Sequence, residues 1–188
     1  MSDFCVIGSG ISGATISNLL SKKYQVNLYD KGRGPGGRAS FKRIKGKVGF
    51  DHGTQYFSPK TKEFKKFTHD LIKKKKLKKR NGNHIFLNSK KKENKKHIKL
   101  IGKKGNNDIC KYLLKQVRCC YQSEVKKIYY KKKQWFLLFT DGRVETFEGI
   151  ILTCPFPQLK KLSAKYINNT FIKKKLRMDA NITVMIAI

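Results

Sequence analysis

Apolar and polar positions alternate along this chain in a way that lays out most of its elements. Phe4–Ile7 is a short apolar run stopped by a glycine, which predicts a buried strand. Residues 14–21 place Ile16, Leu19 and Leu20 at helical spacing, so a helix packed on a sheet is expected. Residues 25–29 form a second apolar run closed by Asp30, completing a βαβ unit of ordinary size. Between residues 60 and 80, Phe64, Phe67, Leu71, Ile72 and Leu77 recur among lysines, which predicts an amphipathic helix with a cationic outer face. Residues 81–99 are weakly patterned and suggest short strands and turns, with an exposed lysine loop at 90–96. Residues 108–117 read as a helix with Asn107 or Asp108 as its cap. Residues 125–130, 134–140 and 143–147 read as three strands, the last two joined by the hairpin signal Asp141-Gly142. Residues 150–152 predict another buried strand, 159–166 a short helix, and 181–188 a strand. Ile182, Val184, Met185, Ile186 and Ile188 would leave that last strand a bare apolar edge, so a domain broken off before its end is expected.

Composition changes the picture in one respect. The chain holds 44 Lys+Arg against 12 Asp+Glu, a formal charge of +32. Read literally, such a charge attracts phosphate backbones by counterion release. Yet 37 of the cations are Lys and only 7 are Arg, alongside many Ile and Asn. Compositional drift produces that bias, whereas nucleic-acid readers favour the bidentate fork of Arg. No specific nucleic-acid partner is therefore expected, only a general polyanion affinity at low salt. The apolar fraction of 39% is enough for a packed core. The five cysteines (Cys5, Cys110, Cys119, Cys120, Cys154) are odd in number and contain no CxxC, which suits a reducing compartment. His52, His69, His84 and His97 show no metal-ligand spacing, so no metal is expected. The N-terminus lacks a basic leader region, and no apolar run reaches the roughly 18–20 residues of a membrane span, so a cytoplasmic protein is expected.

The chemistry lies in Gly8-Ser9-Gly10-Ile11-Ser12-Gly13, which has a predicted strand before it and a predicted helix after it. Each part has a physical task in dinucleotide binding. Gly8 makes the tight turn, Gly10 admits a pyrophosphate close to the backbone, and Gly13 lets helix and strand approach. The start of the helix presents main-chain N–H groups, including those of Ser9, Ile11 and Ser12, and a partial positive charge. Asp30 stands 22 residues past Gly8, placed to accept hydrogen bonds from the adenosine ribose and to repel a 2′-phosphate. Lys31 opens a glycine-rich loop that ends in Gly36-Gly37-Arg38. The glycine pair lets the chain pass close to a dinucleotide, and Arg38 can neutralise phosphate charge. NAD dehydrogenases do not usually need this second loop, so FAD is the expected cofactor.

With these residues in place, the opening of the chain resembles the FAD-binding start of the flavin amine oxidase superfamily. The motif carrying the likeness is Gly8 to Gly13, Asp30 and Arg33-Gly34-Pro35-Gly36-Gly37-Arg38. Residues 50–57, 101–106, 124–128, Trp135, Asp141-Gly142 and 150–159 are similar to the renalase branch in particular. The resemblance implies an α/β protein: a Rossmann-like FAD-binding domain of glutathione-reductase type with part of a mixed-sheet substrate domain. It implies a division into residues 1–58 (βαβ with the glycine-pair loop), 59–105 (part of a substrate or cap segment), 106–160 (return to the FAD domain with a β-meander) and 161–188 (start of a truncated substrate domain). It places Gly53, Thr54 and Gln55 toward the flavin, Val125 near the adenine through its backbone, and Thr153 and Pro155 near the phosphates. The activity implied is hydride transfer from a small-molecule substrate, a reduced nicotinamide nucleotide or an amine, to FAD and then to oxygen.

The departures matter too. The Gly-Asp element and closing helix of the family are missing from the chain, Lys103 and Lys104 replace less charged residues, and Asn106 stands where Met is common. No side chain is assigned as catalytic and no covalent flavin link is expected. His52 reads as a structural hydrogen-bonding residue, Tyr56 and Trp135 as packing residues, and Cys154 as a small buried filler. Two other functions stay open at this point. One is a dinucleotide-binding fragment without catalysis. The other is a polycationic nucleic-acid binder, which would need basic residues gathered on one face with interleaved aromatics, whereas the lysines are spread along the chain.

Overall fold

The computed structural model describes residues 3–44, 49–80, 98–167, 178–179 and 182–185. The lysine loop at 90–96, His84 and His97 lie outside the described residues, as does most of the weakly patterned stretch 81–99. The chain forms two compact units: Met1–Arg38 with Cys110–Ile188, and Ala39–Ile109.

The first unit is built on a four-stranded parallel sheet. β1 (Phe4–Ile7) pairs with β2 (Val26–Tyr29) on one side and β11 (Gly149–Leu152) on the other, and β7 (Arg118–Cys120) lies beyond β2. β1 and β2 read as continuous apolar runs because parallel strands are covered on both faces. Cys5, Val6, Leu28 and Tyr29 are buried to within 1% of complete exclusion. α1 (Ile11–Leu20) is the crossover between β1 and β2. Hydrophobic spacing places Ile16, Leu19 and Leu20 on its packed face. The structure instead buries Gly13, Ala14 and Ser17 and leaves Leu19 54% exposed. The helix lies so close to the sheet that only small residues fit there, and smallness carries no hydrophobic signal. The helix also begins at Ile11 rather than at residue 14, because Gly10 serves as its cap position.

An antiparallel meander, β8 (Val125–Lys131), β9 (Gln134–Phe139) and β10 (Val144–Phe147), packs in the same unit. Ile128, Leu137, Phe139 and Phe147 from the meander join Cys5, Ile7 and Tyr29 in one core cluster. Full burial of such side chains stabilises by roughly 1.5–3 kcal/mol each. One polar group inside this cluster is satisfied across it: Tyr29 donates its hydroxyl to Glu145 Oε2 at 2.5 Å and accepts from Asn27 Nδ2 at 3.2 Å. α3 (Asp108–Leu113) is shorter than the predicted 108–117, its last part being replaced by a turn into β7. α4 (Phe156–Ser163) starts before the predicted 159, with Pro155 at its cap position and Pro157 in its first turn, where a missing N–H leaves no helical bond unmade. The strand expected over 181–188 is not seen at its described residues: 182–185 lie in no strand, and Ile182 is 91% exposed.

Among the described residues, the second unit contains two pairs of short antiparallel strands and one helix. β3 (Phe41–Arg43) pairs with β4 (Gly49–Asp51), and β5 (Leu77–Lys79) with β6 (Leu100–Gly102), both antiparallel. α2 (Lys62–Lys73) is capped by Thr61, whose hydroxyl accepts from the Phe64 N–H at 3.2 Å. It buries Thr68 and Leu71 and exposes its lysines, as expected. It does not reach residue 80. Lys75 turns the chain at φ +54, and Leu77 then starts β5 with its side chain inward.

Candidate dinucleotide-binding site

The parallel sheet of the first unit runs β11-β1-β2-β7, so the chain moves outward from β1 in both directions. Open parallel sheets bind ligands at the carboxyl ends of the strands, where the strand order reverses. Gly8, Asp30 and Thr153 follow β1, β2 and β11 at that end.

Gly8 turns with φ +110, a conformation that side-chained residues rarely adopt, and donates its N–H to the Tyr29 carbonyl at 2.9 Å. Thr153 pins the turn from behind. Its N–H donates to Ile7 O at 2.9 Å, and its hydroxyl lies 3.0 Å from Ile7 O and 3.1 Å from Gly8 O. Gly13 is required for packing alone, since a Cβ there would land on the Gly8 carbonyl oxygen. Gly36 donates to Ser9 O at 3.0 Å and pairs with Gly10 as a parallel bridge, so the second glycine loop lies alongside the first. Gly37, at φ +52, faces Gly10 so closely that a Cβ would sit 3.1 Å from the Gly10 Cα.

Gly10 is different. Its φ of −68 and ψ of −177 are open to any residue. A Cβ there would find only the Gly36 carbonyl oxygen, 4.0 Å away. The fold therefore does not need a glycine at this place. Next to it, α1 starts with no side-chain cap and no acidic residue in its first turn. The N–H groups of a first turn have no partner within the helix, and they present a partial positive charge. Ile11 is half-buried there and Ser12 exposed.

Asp30 is engaged by the protein itself. Oδ2 accepts from both the N–H and the hydroxyl of Ser9, each at 2.6 Å, and Oδ1 accepts from the Gly32 N–H at 2.7 Å. Of roughly four acceptor positions on a carboxylate, one on Oδ1 is left for a ribose hydroxyl. The main chain of Asp30 is held as well: its N–H donates to Cys120 O and its carbonyl accepts from Ser123 N, both at 3.0 Å. Arg143 donates to Ser123 Oγ at 3.3 Å. Sequence reasoning missed this second clamp, because β7 has only three residues and no apolar run to announce it. Lys31 and Arg38 are exposed beside the loops. Pro155 is exposed at the start of α4. Val125 begins β8 and packs against the core cluster. Burial raises the Cys154 thiol above its ordinary pKa, as suits a filler.

Residues 53–55 belong to the second unit, in the loop after β4, with Gly53 and Gln55 exposed and Thr54 half-buried. Asn106 organises this loop. It is fully buried, donates Nδ2 to Thr54 O at 2.6 Å, accepts from Gly102 N at 2.8 Å, and gives its own N–H to Asp51 Oδ1 at 2.7 Å. Burial raises the Asp51 pKa although the Asn106 hydrogen bond opposes it. His52 Nε2 lies 3.0 Å from the Ser40 hydroxyl, the structural hydrogen bond expected for it. Tyr56 is flanked by Lys99 and Arg80, 5.0 and 5.7 Å from its ring centre. Among the described residues no group of His, Cys, Asp and Glu is arranged to hold a metal, and no helix is long and apolar enough to cross a membrane.

Residues 6–71 match the NAD(P)-binding Rossmann-like domain family. The chain carries a Rossmann-like dinucleotide-binding fold. A protein assigned as a protoporphyrinogen oxidase from Exiguobacterium sp. 255-15 shares this architecture with a TM-score of 0.65 at 11% identity, over 87% of this chain and 61% of its own. The tetracycline destructases Tet(51) and Tet(55) share it with TM-scores of 0.57 at 16% and 13% identity, over 88% and 89% of this chain. The chain spans 42% and 41% of those two proteins. At these identities the likeness is one of fold.

Proposed function

We propose that this chain binds FAD and forms the cofactor-holding part of an oxidoreductase of the renalase-like kind. The observation that carries the reading is Gly10, a position without a side chain that the protein's own packing does not demand. A pyrophosphate lying against the N–H groups of α1 supplies the missing demand. The other residues fit such a group: Asp30 keeps one acceptor for a ribose hydroxyl, and the exposed Lys31 and Arg38 are within the same loops as cations for the phosphates.

FAD, when bound, supplies a hydride acceptor that oxygen can return to its oxidised form. The chain contributes binding and orientation. Gly10, Ile11 and Ser12 offer main-chain N–H groups to the phosphates. Gly8, Ser9 and Gly13 shape the turn, the N–H groups of Gly8 and Ser9 being already given to the Tyr29 carbonyl and to Asp30. Gly36 and Gly37 close the other side. From the resemblance we assign Gly53, Thr54 and Gln55 to the flavin side, Val125 to the adenine, and Thr153 and Pro155 to the phosphates. A reduced nicotinamide nucleotide or an amine is the substrate class of this reading, and the cytoplasm is its compartment. The direct test is the visible spectrum of purified protein after gel filtration with FAD. Bands near ~370 and ~450 nm that travel with the protein support the reading; a folded, colourless protein contradicts it.

A further inference from the structure

The outer face of the meander breaks a rule of half-solvated sheets, whose outward positions are normally polar. Ile128, Leu137, Phe139 and Phe147 point into the core. The neighbouring elements that join this cluster, α4 through Leu162 and β11 through Ile150 and Leu152, do so on that inner face. The alternate positions include the half-buried Tyr129 on β8 and Phe136 and Leu138 on β9, and Val144 on β10, which is 50% exposed, together with the polar Gln134 and Thr146. Tyr129 and Phe136 are cross-strand partners whose rings lie parallel, 7° between planes and 4.9 Å between centres. Lys127 and Lys131 flank Tyr129 two residues away on either side, and Lys132 and Lys133 form the exposed turn at the end of the same strand.

Compositional drift explains lysines but not aromatic rings set outward between them. We propose that this face binds single-stranded nucleic acid without sequence preference. Tyr129 and Phe136 each cover one face of the other's ring, and the remaining flat faces accept any base while the flanking lysines follow the phosphate backbone. The occupant follows from charge. A second copy of the chain would bring the same lysines against themselves, whereas a polyanion with flat apolar bases complements both features. Of the acids around the meander, Glu145 lies on the inner side with Tyr29 and Asp141 is paired with Arg143 at 2.7 Å. Glu124 and Glu148 are exposed just outside β8 and β10 and are outnumbered by Lys127, Lys131, Lys132 and Lys133.

The test compares a fluorescein-labelled thymidine oligonucleotide of about 12 nucleotides with heparin, a polyanion that has no bases, using the full chain. Tyr129→Ala is expected to weaken oligonucleotide binding about tenfold and leave heparin binding unchanged. Tyr129→Leu keeps an apolar contact with Phe136 but has no ring, and is expected to show the same selective loss if the alanine variant does not fold. Lys131→Gln should lower the slope of log K against log salt by about 0.7. Equal losses for oligonucleotide and heparin, unchanged oligonucleotide binding in the folded leucine variant, or no binding by the unaltered chain would each overturn the proposal. A protein that takes heparin alone binds polyanions by charge only, which also rejects it.

Discussion

The main-chain N–H and the buried hydroxyl of Ser9 both donate to the same oxygen of Asp30, each at 2.6 Å. The glycine loop after β1 is thereby tied to the end of β2 through one carboxylate. Asp30 is thus a fold residue as well as a candidate ribose ligand. Asp30→Ala leaves three donors without their acceptor, one of them fully buried on Ser9. We expect a stability loss on the order of 2–4 kcal/mol by urea unfolding. Ser9→Ala removes a single hydrogen bond, and about 1–2 kcal/mol is expected.

Gly13→Ala tests the closeness of α1 to the loop. The added methyl meets the Gly8 carbonyl oxygen, which is backbone and cannot swing aside. The expected outcome is a loss of about 3 kcal/mol or more, seen as a large fall in thermal midpoint or as failure to fold. Ser17→Ala on the same buried face is expected to be neutral or mildly stabilising, since its hydroxyl is buried without a partner.

The elements read correctly from sequence were those with long signals. β1, β2 and the meander have apolar runs or an Asp-Gly turn. β3, β4, β5, β6 and β7 have three residues each, several of them lysines, so no period could form. The buried face of α1 was misassigned because Gly13, Ala14 and Ser17 are chosen for size. At the site, the two glycine loops and Asp30 were legible as a motif. Their sharing of Asp30 with Ser9, and the bracing by Thr153 and Ser123, depends on side-chain direction and on strands distant in sequence. Asn106 was noticed only as a departure. Its side chain makes two hydrogen bonds, from Gly102 N and to Thr54 O, which satisfy its polar atoms inside a fully buried position.

Cysteine chemistry provides a separate check. Burial pushes the Cys110 thiol up to about 12 and Cys5 well above its ordinary value. At pH 8 only about one Cys110 in 10⁴ is then a thiolate, the reactive form. In native protein treated with iodoacetamide, peptide mapping is expected to find Cys5 and Cys110 unmodified, and to find both labelled in urea. Rapid native labelling of either would contradict their placement in the core.

Asp51 sets a pH dependence. Burial raises its folded pKa above the unfolded value, so the folded state binds its proton more tightly. Between those two values the stability it contributes falls as pH rises, and at neutral pH the charged form is carried at a cost. Asp51→Asn keeps an acceptor for the Asn106 N–H and removes the charge. Asp51 is partly exposed, so the gain at pH 7 is expected to stay below about 1 kcal/mol. Urea unfolding between mildly acidic and neutral pH should show the variant's advantage shrinking as pH falls. An advantage that grows toward acid would contradict the assignment.

The proposed FAD binding depends most on the space beside Gly10. Gly10→Val suits the backbone at this position, and its Cβ would meet only the Gly36 carbonyl oxygen at 4.0 Å, while the side chain enters the place assigned to a pyrophosphate. The decisive measurement is FAD affinity by equilibrium dialysis, with the thermal midpoint recorded on the same samples. An unchanged midpoint with affinity lowered roughly 10- to 100-fold is the expected result. A folded valine variant that binds FAD as tightly as the unaltered chain would contradict it.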